Sequence, residues 1–172
     1  MKKKLLSAIL IVVVSSVVFS CSKGHVRYDP VTGVVKKDNV EYKIGKLGPE
    51  WRKIKGNFGD EAFFNDGINS SISVNAICPF RGDPPLRVLL NHLLFGFTDR
   101  KIQDTQTIQM QGREALRAVY SAKLDGVERK FLVYILKKDT CVYDLEYQSS
   151  EANFDKGVTA FEEFVKAFKT EK

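Results

Sequence analysis

At 172 residues the chain has the length of one ordinary domain, and 44% apolar residues, with 12 Phe and 6 Tyr, exclude wholesale disorder. The formal charge of +6 includes Lys2, Lys3 and Lys4; without these three lysines it falls to +3. So small and evenly spread an excess argues against a nucleic-acid surface and leaves an anionic membrane face as the better-matched partner.

Lys2, Lys3 and Lys4 form a positive head before residues 5–19, which are apolar except for Ser7, Ser15 and Ser16. A bilayer span needs about 20 apolar residues, so this run has the length of a signal h-region instead. Val18-Phe19-Ser20-Cys21 resembles the lipobox of bacterial lipoproteins, an aliphatic residue and small residues ahead of Cys, with Phe19 bulkier than that pattern. The resemblance implies cleavage before Cys21, thioether diacylation of its sulfur and a membrane anchor outside the cytosol. The competing assignment is an ordinary secretory signal with an incidental Cys. Ser22 stands where an aspartate would resemble an inner-membrane retention signal, which points to the periplasmic face of the outer membrane over the inner membrane. Residues 1–20 are therefore expected as signal peptide and 21–39, rich in turn formers, as a flexible tether.

The remaining residues, 40–172, read as a single domain. Residues 40–44 and 51–54 are β-like, and 61–64 and 71–77 flank the turn Asn65-Asp66-Gly67 as a hairpin. A helix is expected after Asp83 as N-cap, with Pro84 and Pro85 in its first turn. Leu86, Leu89, Leu90, Leu93, Leu94 and Phe97 form its stripe. Val88 and Phe95 fall on its other side, either buried by a second layer or forming a partner contact. Four β-like segments follow at 102–110, 115–124, 129–136 and 140–148, joined by turns short enough to force antiparallel neighbours. Residues 131–136 are apolar on both faces, as a central strand should be. Phe154, Val158, Phe161, Phe164, Val165 and Phe168 share one face of a terminal helix capped by Ser150 or Asn153. The fold class is α+β: an antiparallel sheet flanked by helices, most simply a three-layer α/β/α sandwich.

This order of elements resembles the PsbP family of extrinsic photosystem proteins, whose fold is shared with a Ran-binding nuclear import factor. Gly48-Pro49-Glu50-Trp51, Ile72-Ser73-Val74, Gln111-Gly112-Arg113-Glu114-Ala115 and the Phe-rich last helix carry the likeness over about residues 40–170. It implies an α/β/α sandwich used for binding and assembly, without catalysis; nothing here resembles a photosystem metal site, and neither photosynthesis nor Ran binding is carried over.

Candidate chemistry is sparse. Cys78 and Cys141 form an even pair in a domain expected to meet an oxidising compartment, where a disulfide and two separately buried cysteines both fit. His25 lies in the tether and His92 on a helix flank, so neither gains a partner at metal-ligand spacing, and no metal, cofactor or triad is expected. Arg81-Gly82-Asp83 matches an adhesion tripeptide, but a turn and a helix cap account for it. Lys36, Lys37, Lys43, Lys46, Arg52, Lys53 and Lys55 form either a solvated basic face or a rest on anionic headgroups. The function expected is a lipid-anchored, non-catalytic binding or assembly-accessory module recognising an envelope protein or small ligand. The alternative is an envelope enzyme whose site the sequence does not display. Convergent polar groups with perturbed acidities would favour the enzyme; an apolar patch rimmed by charge, sought first at Val88 and Phe95, would favour the module.

Overall fold

A computed structural model describes residues 26–55 and 59–171. Two sheets and two helices make up the described chain. The smaller sheet has the order β1-β2-β3-β11, with β1 at Val26–Tyr28, β2 at Val34–Lys37, β3 at Val40–Lys43 and β11 at Lys169–Glu171. The larger has the order β4-β5-β6-β10-β9-β8-β7. Its members are β4 (Arg52–Ile54), β5 (Glu61–Asn65), β6 (Ser70–Ile77), β7 (Thr98–Met110), β8 (Arg113–Leu124), β9 (Val127–Lys138) and β10 (Cys141–Ser149). All strand pairs are antiparallel. The helices are α1 (Leu86–Leu93) and α2 (Phe154–Lys166).

Strand β9 organises the layers. Side chains alternate across a strand, so Leu132, Tyr134 and Leu136 enter one core while Phe131, Val133 and Ile135 enter another. The first core receives Phe154, Phe161, Phe164 and Val165 of α2, together with Val35 and Tyr42 of the smaller sheet. The second receives Leu89 and Leu90 of α1 and Leu94 just beyond it. The sequence placed β9 centrally, and β8 and β10 do flank it.

Five expectations change. Residues 26–39 are not slack tether: β1 and β2 occupy half of them, because Val35 is fully buried and Tyr28 meets the Phe63 ring edge-on at 5.8 Å. The Asp29 carboxylate builds the turn between them by accepting from Val31 N at 2.8 Å and Thr32 Oγ1 at 2.7 Å. The layering also gains a second sheet, so α2 shares its face of the larger sheet with β1–β3 and β11. Asp83 does not cap α1; Pro85 is the N-cap, and Asp83 accepts from Lys137 Nζ instead. The same helix stops at Leu93, with Gly96 beyond it at φ +90°, a conformation that a side chain resists. Finally, α2 starts after a 3₁₀ turn at Glu151–Asn153 with no side-chain cap, and Asn153 Nδ2 donates to Ile68 O instead.

The seam between the layers is close. A Cβ on buried Gly45, which follows β3 by two residues, would stand 2.6 Å from Phe164 Cα in α2. Neither backbone can yield cheaply inside a packed core. Gly45→Ala is therefore expected to destabilise the protein by about 1–3 kcal/mol, read as a lower urea midpoint with unchanged slope; an unchanged midpoint would show that the seam relaxes freely.

Candidate functional site

At one end of the larger sheet, β6 runs out at Ile77 opposite Val142 near the start of β10. Cys78 and Cys141 meet there, their Cα atoms 4.6 Å apart, in a disulfide closing 63 residues of chain separation. Of the two states open to the pair, the structure has the bonded one. The chain then crosses toward α1, where Arg87 from the helix, Arg113 from β8 and Lys137 from β9 line a cleft of about 570 Å³. Leu86 and Leu116 supply apolar wall, and Asp83 and Glu114 are its carboxylates. Lys137 is held by Asp83 and by Pro84 O at 2.8 Å, whereas Arg113 has no ion pair among the described residues.

Cys21 and His25 lie outside the described residues. Val88 is 38% exposed and Phe95 89%, so burial does not explain them. Phe95 belongs to the end opposite the disulfide, where Thr98 pairs with Lys123 and Leu124 with Val127; Leu124 and Val127 are exposed there too. His92 is exposed on α1. Of the basic cluster, Lys36, Lys37, Arg52 and Lys53 face carboxylates of Glu41, Asp60, Asp66 and Glu61 at 2.5 to 2.6 Å, so more than half of it is locally neutralised. Among the described residues no three His, Cys, Asp or Glu are placed to hold a metal ion, and no helix is long and apolar enough to cross a membrane.

The most perturbed acids are Asp144 and Glu146. Both point to the α1 side of β10, since they alternate with Tyr143, Leu145 and Tyr147, which enter the core under α2. Asp144 is only 8% exposed, and its Oδ1 has no hydrogen-bond partner among the described residues. Burial, then the nearby Glu146 charge, pushes the Asp144 carboxyl up to about 7. Burial likewise lifts Glu146 to about 7, against a weaker opposite pull from Tyr120, whose hydroxyl donates to Glu146 Oε2 at 3.3 Å. The sequence held the signal for this pair: a strand with Tyr143, Leu145 and Tyr147 inward and neighbours on both sides must bury its alternate residues as well. What the pair can do is trade protons near neutrality; among the described residues Cys78 and Cys141 are joined in a disulfide and His92 is exposed on α1.

No family model and no curated protein matches the chain. Solved structures do. The cyanobacterial PsbP protein of Synechocystis superposes with TM-score 0.54 at 12% identity, over 89% of this chain and 95% of that one. The fold is PsbP-like. LpqN of Mycobacterium tuberculosis, a protein involved in cell envelope biogenesis, matches with TM-score 0.57 at 12% identity, over 78% of this chain and 87% of its own. The PsbP-like fold here is sheet-dominated, with the disulfide and the basic cleft at one end and exposed Phe95 at the other.

Two outcomes follow from this geometry. The acids carry folded-state values near 7 against ordinary values near 4, so the folded state holds protons that the unfolded chain has lost. The stability they contribute relative to alkaline solution is full below about pH 4 and lost as pH rises to about 7. Asp144→Asn with Glu146→Gln should remove that slope and stabilise the protein at pH 8 by roughly 1–4 kcal/mol; denaturation curves parallel to the parent at pH 5 and pH 8 would refute it. Reducing Cys78–Cys141 should cost about 4 kcal/mol through loop entropy. Thiol titration of the unfolded, unreduced protein should find neither cysteine reactive, and two reactive thiols would exclude the bond.

Proposed function

We propose that the chain is a lipid-anchored cell-envelope protein acting as a non-catalytic binding or assembly-accessory module. The observation that carries the proposal is Cys21 behind a signal-like apolar run and only five residues before Val26, where β1 opens. Five residues reach at most about 18 Å, so an acylated Cys21 holds the domain beside the bilayer by a short leash. Val26 pairs with Lys37, whose Nζ donates to Ala76 O at 2.7 Å near the disulfide. The leash therefore leaves from the disulfide end. The β8–β9 turn and Phe95 belong to the opposite end, roughly 40 Å away along a 12-residue strand. That exposed end suits contact with an envelope partner, with Phe95 at its centre.

The layers read as an α/β/α sandwich thickened on the α2 side by the smaller sheet. Support for an envelope role comes from the PsbP-like architecture shared with LpqN, and support for binding from the exposed apolar side chains of Phe95, Leu124 and Val127 gathered at one end of the larger sheet. The outer-membrane periplasmic face remains the proposed location because Ser22 follows Cys21. Substituting Cys21→Ser tests the anchor: the parent should require detergent for extraction from its native membranes and the variant should appear in the soluble exported fraction. Equal detergent dependence of both proteins would end the lipoprotein assignment.

A further inference from the structure

The strand order leaves β4 and β7 at the two edges of the larger sheet. They differ in size: β4 has 3 residues and β7 has 13. A long edge presents a row of unpaired N–H and C=O groups that accepts another strand unless charge, proline or a bulge blunts it. On β7 the blunting is confined to one half. The register shifts fall between Thr98 and Asp104, as do the charged Asp99, Arg100, Lys101 and Asp104. Thr105-Gln106-Thr107-Ile108-Gln109-Met110 then pairs regularly with β8 and contains no charge, proline or glycine.

The direction of the free groups follows from the turn. Gln111 and Gly112 both have positive φ in a two-residue hairpin loop, which makes Met110 and Arg113 a hydrogen-bonded pair. Antiparallel alternation then aims the backbone of Ile108 and Gln106 at β8 and that of Thr105, Thr107 and Gln109 outward. The sheet is hollow on both faces beside this row. On the α1 side lies the 570 Å³ cleft with Arg87, Thr107, Arg113 and Lys137. On the α2 side a second cleft of about 440 Å³ is walled by Ile108, Met110, Tyr134 and Val165, with Glu162, Glu163 and Lys166 at its polar margin.

We propose that β7 is a docking edge for an extended peptide segment of a partner protein, which adds as an eighth strand along residues 105–110. Alternate side chains of that segment fall into the two clefts, acidic ones toward Arg87 and Arg113 and apolar ones toward Ile108, Met110 and Val165. The charge pattern selects the occupant. The α1-side cleft has three cations against Asp83 and Glu114, and Asp83 is already taken by Lys137. On the α1 side a second copy of this chain, paired along its own residues 105–110, would bring Thr105, Thr107 and Gln109 and would leave Arg113 without a carboxylate. Strand addition of this kind draws affinity from backbone bonds and selectivity from pockets for alternate residues. The inference rests on the binding-module proposal and names its partner class.

The full-length chain in detergent micelles, titrated with a labelled ten-residue peptide alternating Glu and Val, tests it by fluorescence anisotropy and amide hydrogen exchange. The peptide should bind more tightly than a Lys/Val analogue or a block-ordered Glu/Val isomer, and should slow exchange at Thr105, Thr107 and Gln109. Thr107→Pro removes an outward donor without touching the β8 ladder, and should weaken binding at least about tenfold with an unchanged melting curve. Should that variant fail to fold, N-methylation of alternate peptide residues reads the same bonds from the ligand side. Arg113→Glu should shift preference toward the Lys/Val peptide. Indifference to sequence order, to Thr107→Pro in a folded variant or to N-methylation would overturn the proposal. So would protection of these amides that grows with protein concentration alone, which would give the edge to a second copy. Membrane retention through Cys21 is read separately and survives any of these failures.

Discussion

A strand that is apolar on both faces can live only inside a sheet and only under cover on both sides. Residues 131–136 of β9 are all buried, and this requirement propagates outward. It calls for β8 and β10 as hydrogen-bonding neighbours, for α1 above Phe131, Val133 and Ile135, and for α2 with the smaller sheet below Leu132, Tyr134 and Leu136. The long crossover from β6 through α1 to β7 is the connection that lays one cover in place. It also carries the chain past three strands and deposits β7 at the margin, so the open edge and the covered centre have the same origin.

Two buried carboxylates show how differently this framework treats charge. Asp60 accepts from Lys37 Nζ at 2.6 Å, Tyr42 Oη at 2.8 Å and Ala76 N at 2.9 Å, and so ties the smaller sheet to the larger. A buried anion with three donors is a clasp. Asp144 sits under comparable cover with one oxygen unpaired and another acid two residues away. Burial there favours the neutral acid, because no cation compensates the lost hydration. The first carboxylate joins layers; the second makes the sheet's centre responsive to protons.

The repetitive part of the fold was legible in the sequence, and the parts that depend on distant partners were not. Strands β5 to β10 and both helices announce themselves by alternation or by a 3.6-residue stripe, and the turn at Asn65-Asp66-Gly67 by its residues. The smaller sheet does so only at β3, within residues 40–44. Val26–Tyr28 and Val34–Lys37 are too short and polar to show a period, and their order comes from Val35 entering a core built by residues far along the chain. Asp83 looked like a cap because caps are local, yet Lys137, 54 residues away, claims it. At the candidate site the cysteines, Val88 and Phe95 were visible as residues, while the cleft of Arg87, Arg113 and Lys137 exists only once three elements converge.

Trp51, the single tryptophan, is 7% exposed just before β4, with its ring centroid 6.5 Å from that of Tyr147. Six strand spacings, about 29 Å, separate β4 from β7 across the sheet. The chromophore therefore lies in the aromatic interior on the flank remote from β7. Its emission will follow loss of that interior during unfolding, and will be nearly silent to events at the opposite margin.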